Sequence, residues 1–579
     1  MSNKSLSGKV LVLGTDFKNY RSCLAIIRSL GRKGLHVDLA WNSVDDIARH
    51  SKYAAEIHDI PDFSPDEDSW KNKLIELIGH KRYDLVVPCN EQASAPLEAN
   101  RTEFEKIPAV YLLNQRAYEI AFDKFKSNDL ARSLGISVPQ SRRIASIAEI
   151  DTILSEFQLP LVLKPSISFS LESLQRKNYV YKAYSKKELF TTLRFLLKSG
   201  AVLVQENFIG VGTGIGFIAN HGELLYAFQH VRLHEPLMGG GSSYRKSAPC
   251  HPGLLDATSK LIKEMNYTGV GMAEYKVDFR SAQEPASDKW IFLEINGRFW
   301  GSLPLAVSAG ADFPYFLYCL KTDTPLKLPA GYKTGIYARN TIRDFVWITE
   351  NIFADKTEPS RNTVPNGTVA LELLRFITFR EKNDTWAIDD LTPGLLEFGR
   401  LFKIKMALVR RILMTLSPWR FIRSYRTRRA LHRARSVLVV CFGNIYRSPF
   451  AERYLRKRLP ESVIIHSAGY LPQSGRQCHE RAIDIAAEFD IAMADHRSRI
   501  IAPEAVEKAD IILTFDKENR KTLKNIFPVA AEKIFLLGML SFTGPVYFED
   551  PVEGNLYTIR NNYKAIKTAI DSFAEGYLR

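Results

Sequence analysis

A cysteine that ends an apolar run, followed after five residues by Arg-Ser-Pro, fixes the local architecture of one part of this chain. Ser436-Val437-Leu438-Val439-Val440-Cys441 reads as a buried strand, and PFAERYLRKRL, from Pro449, as a helix. The loop between them is short enough to curl so that its backbone N–H groups face one centre. The helix N-terminus adds the positive end of its dipole, and together these make an anion site. A cysteine placed there is favoured as its thiolate and becomes a nucleophile near neutral pH. Arg447 can hold two phosphate oxygens at once and stabilise a five-coordinate phosphorus. A lone Cys441 would be an ordinary strand-end residue, so the spacing to Arg447-Ser448 carries the reading.

From Ser436 to the end, the runs VIIHS, DIILTFD and KIFLL alternate with helical patterns, as in a doubly wound parallel sheet. VCFGNIYRSPFAE resembles the signature of the low-molecular-weight protein tyrosine phosphatases. Further matches follow in order: His466-Ser467-Ala468-Gly469, His496-Arg497-Ser498-Arg499, Thr514-Phe515-Asp516 and Glu549-Asp550-Pro551. The resemblance covers residues 436–579. It implies that Cys441 forms a phosphocysteine, that Arg447 clamps the phosphoryl group, and that Asp550 acts first as general acid and then as general base. Asn444, Ser448 and Ser467 would support the loop and orient the thiolate, and no cofactor is implied. His496 and Asp516 read either as members of the site or as a structural hydrogen-bonded pair.

The chain also departs from that family's pattern. Tyr446 stands where many members carry a second, protective cysteine. Val552-Glu553 replaces the aromatic pair that often follows Asp-Pro. Ile445 stands where related arginine phosphatases carry Thr, which points to phosphotyrosine. Only Cys478 follows Cys441, whereas arsenate reductases of this fold need two further cysteines.

A second constellation lies upstream. Ala273-Glu274-Tyr275-Lys276-Val277-Asp278 and Phe292-Leu293-Glu294-Ile295-Asn296-Gly297-Arg298 both alternate as strands. Glu274 and Asp278 then share a face, as do Glu294, Asn296 and Arg298. Hard oxygen ligands on one wall suit Mg²⁺ bridging nucleotide phosphates. Lys164 on LVLKP and Lys124 on FDKF can reach phosphate oxygens. Gln205, Glu206 and Phe208 end a strand that can lie along adenine.

This order resembles the ATP-grasp superfamily with its preceding α/β domain, over about residues 8–328. The resemblance implies that Lys124 and Lys164 bind ATP phosphates, with Gln205, Glu206 and Phe208 completing the nucleotide site. Glu274, Glu294 and Asn296 would hold Mg²⁺, and Arg298 an acyl phosphate or carboxylate. The lid after Lys164, usually glycine-rich, reads SISFSLESLQRKN. The glycine-rich stretch Met238–Arg245 reads instead as a loop closing on substrate, or as an ordinary hairpin loop. GTDFKNY near the start is not a GxGxxG motif, so no dinucleotide site is expected.

The expected organisation is mixed α/β and α+β. Residues 1–115 form an open α/β domain, with strands at KVLVLG, HVDLAW, DLVVPC and AVYLL. Residues 116–328 form the ATP-grasp domain, with antiparallel strands and inserted helices. Residues 329–399 read as an irregular tail with one or two helices, 400–435 as a basic linker, and 436–579 as the phosphatase-like domain. The linker carries twelve Arg or Lys and no acid, against a net charge of +15 for all 579 residues. Its first half has the pattern of an amphipathic helix stopped by Pro418. It reads as a solvated connector packed on the ligase, as a helix on an anionic membrane surface, or as an electrostatic nucleic-acid contact without specific base readout.

The six cysteines contain no CxxC pair, which argues against a disulfide framework or zinc site and for a reducing cytosol. The start shows no signal-peptide core, and no apolar run reaches the length of a membrane helix. The expected protein is a cytoplasmic, or cytoplasmic and membrane-associated, bifunctional enzyme. One half would join a small carboxylate to an amine using ATP and Mg²⁺. The other would hydrolyse a phosphotyrosine protein or a small phosphomonoester. The rival reading makes the ATP-grasp half a non-catalytic ATP sensor that regulates the phosphatase.

Overall fold

Alternation of apolar runs with helical patterns produces four main sheets in two compact units. The computed structural model describes residues 8–14, 21–237, 240–278, 289–354, 356, 362–378, 380–402, 418–552 and 554–577. One unit comprises Met1–Ser185 and Leu196–Leu401, the other Lys186–Phe195 and Phe402–Arg579.

The first unit opens with β1 (Lys9–Leu13), β2 (His36–Ala40), β3 (Ile57–His58) and β4 (Leu85–Pro88), all parallel in the order β3-β2-β1-β4. Their near-continuous apolar composition follows from burial on both faces. The run AVYLL, expected as a further strand, contributes only the bridge Val86–Val110. Pro108 precedes it, and Asn114 directly after it caps the next helix with its side chain, so the extended stretch is too short to pair.

A second sheet has the order β5-β10-β6-β9, from Ser141–Ile144 (β5), Leu161–Pro165 (β6), Tyr181–Ala183 (β9) and Val202–Glu206 (β10). The glycine-poor stretch after Lys164 folds as a hairpin of β7 (Phe169–Ser170) and β8 (Ser173–Lys177). The largest sheet runs β15-β14-β11-β12-β13-β16-β17. It is built from β11 (Val211–Asn220), β12 (Glu223–His234), β13 (Tyr244–Ala248), β14 (Gly269–Val277), β15 (Trp290–Asn296), β16 (Tyr337–Arg339) and β17 (Lys382–Asn383). Its first six strands pair antiparallel, as the alternating pattern predicts.

The region 329–399 is not an irregular tail. It supplies β16 and β17 to that sheet, together with helices Thr341–Phe353 and Asn366–Ile377. Strands of three and two residues are too short to show a period of two, so charge anchors them instead. Arg339 on β16 is 1% exposed. Its guanidinium meets Glu381 at 2.5 and 3.0 Å, the Glu372 carbonyl and Asp344, and stacks 3.8 Å from the Tyr244 ring centre.

The second unit is a parallel sheet in the order β19-β18-β20-β21, with β18 (Ser436–Cys441) between β19 (Ile464–Gly469) and β20 (Ile511–Thr514), and β21 (Ile534–Leu536) at the edge. The helices Arg447–Arg458 and Leu556–Tyr577 pack together through Phe450 and Tyr563, whose rings stack at 4.0 Å.

The basic segment behaves differently from a solvated connector. The amphipathic helix expected in its first half falls, from residue 403 to 417, outside the described residues. Pro418, expected to stop a helix, begins one (Pro418–Arg433), where its missing N–H is not needed. That helix packs on the second unit. Arg420 is buried and donates to the Gly544 carbonyl at 2.9 Å, and Arg428 to the carbonyls of Leu540 and Ser572.

Among the described residues no single helix is long and apolar enough to cross a membrane. The bent pair Leu303–Ala309 and Phe313–Lys321 is apolar because Leu303, Leu305, Phe313 and Leu317 fill the core of the first unit.

Candidate active site

In the second unit, Cys441 stands at the C-terminal end of β18, with β19 and β20 on either side. The chain turns through 442–446 and enters the helix at Arg447. The Cys441 sulfur is buried, accepts from the Asn444 N–H at 3.3 Å and lies 3.0 Å from the Ser448 hydroxyl. Asn444 holds the left-handed conformation (φ 52°) that this curl requires. Its side-chain nitrogen donates to Ser448 and Ser467, both at 2.9 Å, and its side-chain Oδ1 accepts from the Arg499 N–H at 2.9 Å. The Ser467 hydroxyl is bonded in turn to Glu452.

Arg447 is 1% exposed. One terminal nitrogen donates to the Phe548 carbonyl at 2.8 Å and to Asp516 at 2.7 Å, and the other donates to Asp550. Burial alone would lower its pKa; the Cys441 sulfur, Asp550 and Asp516 outweigh that and raise it. Its Nε has no hydrogen-bond partner among the described residues. A buried guanidinium with one open N–H, together with a sulfur that already accepts a backbone N–H, suits an anion.

His496 and Asp516 do not form a hydrogen-bonded pair, one of the two readings the sequence left open; they meet Asn444 and Arg447 instead. His496 lies 3.0 Å from the Asn444 carbonyl, while Asp516 braces Arg447 and caps the helix Lys517–Ile526 through the Asn519 N–H. Burial lowers the His496 pKa and favours the neutral ring. Burial pushes the Cys478 thiol up to about 12. Tyr446 is buried, with its ring stacked 5.7 Å from His479.

Sequence reasoning missed three residues. Glu452 closes the serine network. Arg476 donates to the Gly443 carbonyl at 2.6 Å. Arg481 donates to the Gly554 carbonyl at 3.0 Å, bracing the loop beyond Asp550. Each acts on a backbone or side chain far away in the sequence, which no local motif signals. Glu553 lies outside the described residues.

In the first unit, Glu274 and Glu294 are direct partners on β14 and β15. The Asn296 amide donates to Glu274 at 3.1 Å, and Arg232 pairs with the other Glu274 oxygen at 2.7 Å. Asp278 lies just past β14, its N–H on the Lys289 carbonyl. Lys164 is 8% exposed. Burial lowers its pKa to about 8, Glu294 and Glu274 raise it, and Lys124 lowers it further. Lys124, whose backbone N–H donates to the Ser166 carbonyl just beyond β6, and the two glutamates thus all act on the charge of Lys164.

Lys124 donates to Ser168 at 3.1 Å. The Gln205 side chain is 1% exposed, and its amide nitrogen has no partner among the described residues. Glu206 accepts from the Gln140 N–H at 3.1 Å, and the Phe208 carbonyl accepts from Lys276 at 3.0 Å. Arg298 lies past β15 and turns to the Phe299 carbonyl and to Glu91 at 3.7 Å. The paired carboxylates, the lysines and the orphaned Gln205 amide fit a Mg²⁺–nucleotide. Residues 15–20, 238 and 239, from the two glycine-containing stretches, lie outside the described residues.

Residues 436–578 match the model of the family described as low molecular weight phosphotyrosine protein phosphatase. A probable low molecular weight protein-tyrosine-phosphatase, EpsP of Ralstonia nicotianae, is 30% identical over 139 residues, covering 24% of this chain and 93% of that protein. The chain therefore belongs, through this region, to the low molecular weight protein-tyrosine-phosphatase family. Among solved structures, Wzb of Vibrio vulnificus in complex with benzylphosphonate is 29% identical with a TM-score of 0.23, over 25% of this chain and 99% of that one. The L-amino acid ligase of Bacillus licheniformis is similar at 14% identity and a TM-score of 0.42, over 55% of this chain and 77% of that one.

Proposed function

We propose that this chain is a two-site enzyme: a cysteine-dependent phosphomonoester phosphatase, acting on phosphotyrosine or a small ester, joined to an ATP- and Mg²⁺-dependent carboxylate–amine ligase. One observation carries the phosphatase reading. The Cys441 sulfur is held by the Asn444 N–H and the Ser448 hydroxyl, and it acts on the charge of the buried Arg447, whose Nε is open.

The Cys441 thiolate attacks phosphorus while the phosphorus–oxygen bond to the leaving group breaks. Asp550 gives its proton to the departing oxygen, and Arg447 holds the phosphoryl oxygens. Water then attacks the phosphocysteine, Asp550 takes the water proton, and the S–P bond breaks to free phosphate and thiolate. Asn444, Ser448 and Ser467 keep the loop curled throughout. A free thiolate requires a reducing compartment, so we place the chemistry in the cytoplasm. The test is p-nitrophenyl phosphate turnover. Cys441→Ser is expected to abolish it while leaving the thermal unfolding curve intact, and full activity in that variant would refute the thiolate mechanism.

For the ligase, the pairing of Glu274 with Glu294 across β14 and β15, with Asn296 bonded to Glu274 and the buried Lys164 sensing both carboxylates, is the supporting observation. Mg²⁺, when bound, would neutralise phosphate charge; Glu274, Glu294 and Asn296 would hold it. Lys124 and Lys164 orient ATP, and Gln205, Glu206 and Phe208 receive the base. A carboxylate oxygen attacks the terminal phosphorus and displaces ADP. An amine then attacks the acyl phosphate and displaces phosphate, with Arg298 steadying the acyl group. Single-turnover ADP formation with panels of carboxylates and amines tests this. ADP that appears with some pair and is lost in Glu294→Gln supports a ligase; ATP binding without ADP for any pair leaves a nucleotide sensor.

A further inference from the structure

On the face of the large sheet that carries Glu274, β11 places glycines at alternate positions: Gly214 faces Glu274 on one side and His230 on the other. A Cβ at Gly214 would stand 2.6 Å from the His230 ring, so the bare backbone lets side chains of β12 lie across the strand. Further along the same face Arg232 pairs in register with Arg245 on β13. From Glu274 to Arg245 is three inter-strand steps, about 14 Å of backbone.

Arg245 is completely buried. One of its terminal nitrogens bonds to Asp384. Its Nε and its other terminal nitrogen have no hydrogen-bond partner among the described residues, and neither has the second Asp384 oxygen. That oxygen faces Arg21 at 3.6 Å, and Arg21 donates to the Ser242 carbonyl at 3.1 Å. Among the described buried arginines only Arg420, in the second unit, is left with two open nitrogens as Arg245 is, and no other buried arginine of the first unit is left so. Arg339, one strand away, meets two carboxylates, a carbonyl and an aromatic face, and Arg28 holds both Asp390 and its carbonyl. A buried guanidinium with donors on two nitrogens unfilled is costly unless something else fills them.

We propose that Arg245, steadied by Asp384, receives the carboxylate of the amine substrate, so that the acceptor is an amino acid or amino-acid-like compound rather than a simple amine. This rests on the ligase reading and names the substrate class of that same site. Asp384 already neutralises much of the Arg245 charge, which suits a monoanionic carboxylate better than a phosphate dianion. The sheet face between Glu274 and Arg245 gives such a substrate its line: amine toward the paired glutamates, carboxylate toward β13.

The experiment uses the full chain with ATP and Mg²⁺ and measures ADP formation and binding by calorimetry. Amines are compared with and without the acid group: L-alanine against ethylamine, glycine against methylamine, L-phenylalanine against phenethylamine. The carboxylated member is expected to bind at least tenfold tighter, and Arg245→Lys is expected to erase most of that preference through KM while kcat with saturating acceptor changes less. Because the preference is read on the unaltered protein, a variant that fails to fold does not decide the matter. Equal binding of both members of each pair overturns the proposal, and so does a preference that survives in a folded Arg245→Lys; either result would leave water as the occupant of the vacancy. ATP binding, and its loss in Lys164→Met, is recorded in parallel. Absence of ATP binding sinks the ligase reading itself, whereas intact ATP-dependent turnover with no carboxylate preference sinks only this inference.

Discussion

Gly469, at the end of β19, faces the Phe442 carbonyl so closely that a Cβ on it would stand 2.7 Å from that oxygen and 3.0 Å from the Asn444 nitrogen. Both atoms are backbone and cannot swing away like a flexible side chain. The Asn444 nitrogen is also the donor to the Cys441 sulfur. Gly469→Ala is therefore expected to push the loop off its curl. A displacement near 1 Å costs about 10²-fold, so kcat/KM for p-nitrophenyl phosphate should fall by that order while the unit still unfolds cooperatively. An unchanged kcat/KM would mean that the loop position does not matter to the chemistry.

Asp516 and Asp550 brace Arg447 from two sides, and the proposed mechanism gives only Asp550 a proton to exchange with a leaving group. Asp550→Asn is expected to slow turnover by about 10²–10⁴-fold for poor leaving groups such as phenyl phosphate, and much less for p-nitrophenyl phosphate. Asp516→Asn should raise KM for both esters alike, because it loosens the phosphate clamp without touching the proton. Equal leaving-group sensitivity in the two variants would remove the distinction.

What the sequence made legible follows from range. Cys441, Arg447 and Ser448 lie within one turn of chain, and the strand–loop–helix order around them fixes their geometry. Glu274, Glu294 and Asn296 were readable because strand alternation puts them on one face. The braces were not readable. Arg481 reaches a carbonyl 73 residues away, and Asp516 an arginine 69 residues away. Strands β16 and β17 were missed because two or three residues carry no period, and because the partners of the buried Arg339, Asp344 in a helix and Glu381 beside β17, give no local pattern. The sequence left two readings of His496 and Asp516 open for a related reason: order along the chain does not say that one takes Asn444 and the other Arg447.

Lys164 gives the first unit a pH signature. Burial holds its pKa at about 8, so in the free protein it loses its charge as pH rises through that value. Affinity for ATP should fall across the same range, apart from any loss due to the unfolding of the chain. Lys164→Arg keeps its charge there and should flatten the profile. Calorimetric titration of ATP between pH 7 and pH 9 checks it, the limits being about one unit either side of that value. A profile equally steep in the arginine variant would assign the proton to another group.

His234 sets a second pH dependence, in stability rather than binding. Its ring is fully buried, stacks 3.7 Å from Trp347, and lies 2.7 Å from both Asp344 and Glu372. Burial lowers its pKa, but the two carboxylates more than reverse this and raise it above the ordinary histidine value. A group whose folded pKa is raised adds stability in full below its unfolded pKa, about 6.5, and loses it as pH rises through the folded value. Thermal unfolding of the full chain should therefore shift to lower temperature as pH is raised from 6 upward, all else constant. Despite its burial, Asp344 is held below the ordinary carboxylate value, chiefly by His234 and Arg339, so the loss across that range comes from the imidazolium and not from Asp344. His234→Gln should unfold at lower temperature at pH 6 and show a flatter pH dependence above it. An unfolding temperature in His234→Gln that falls with pH as steeply as in the unaltered chain would place the titrating group elsewhere and leave β12 joined to the helices of 341–377 by packing alone.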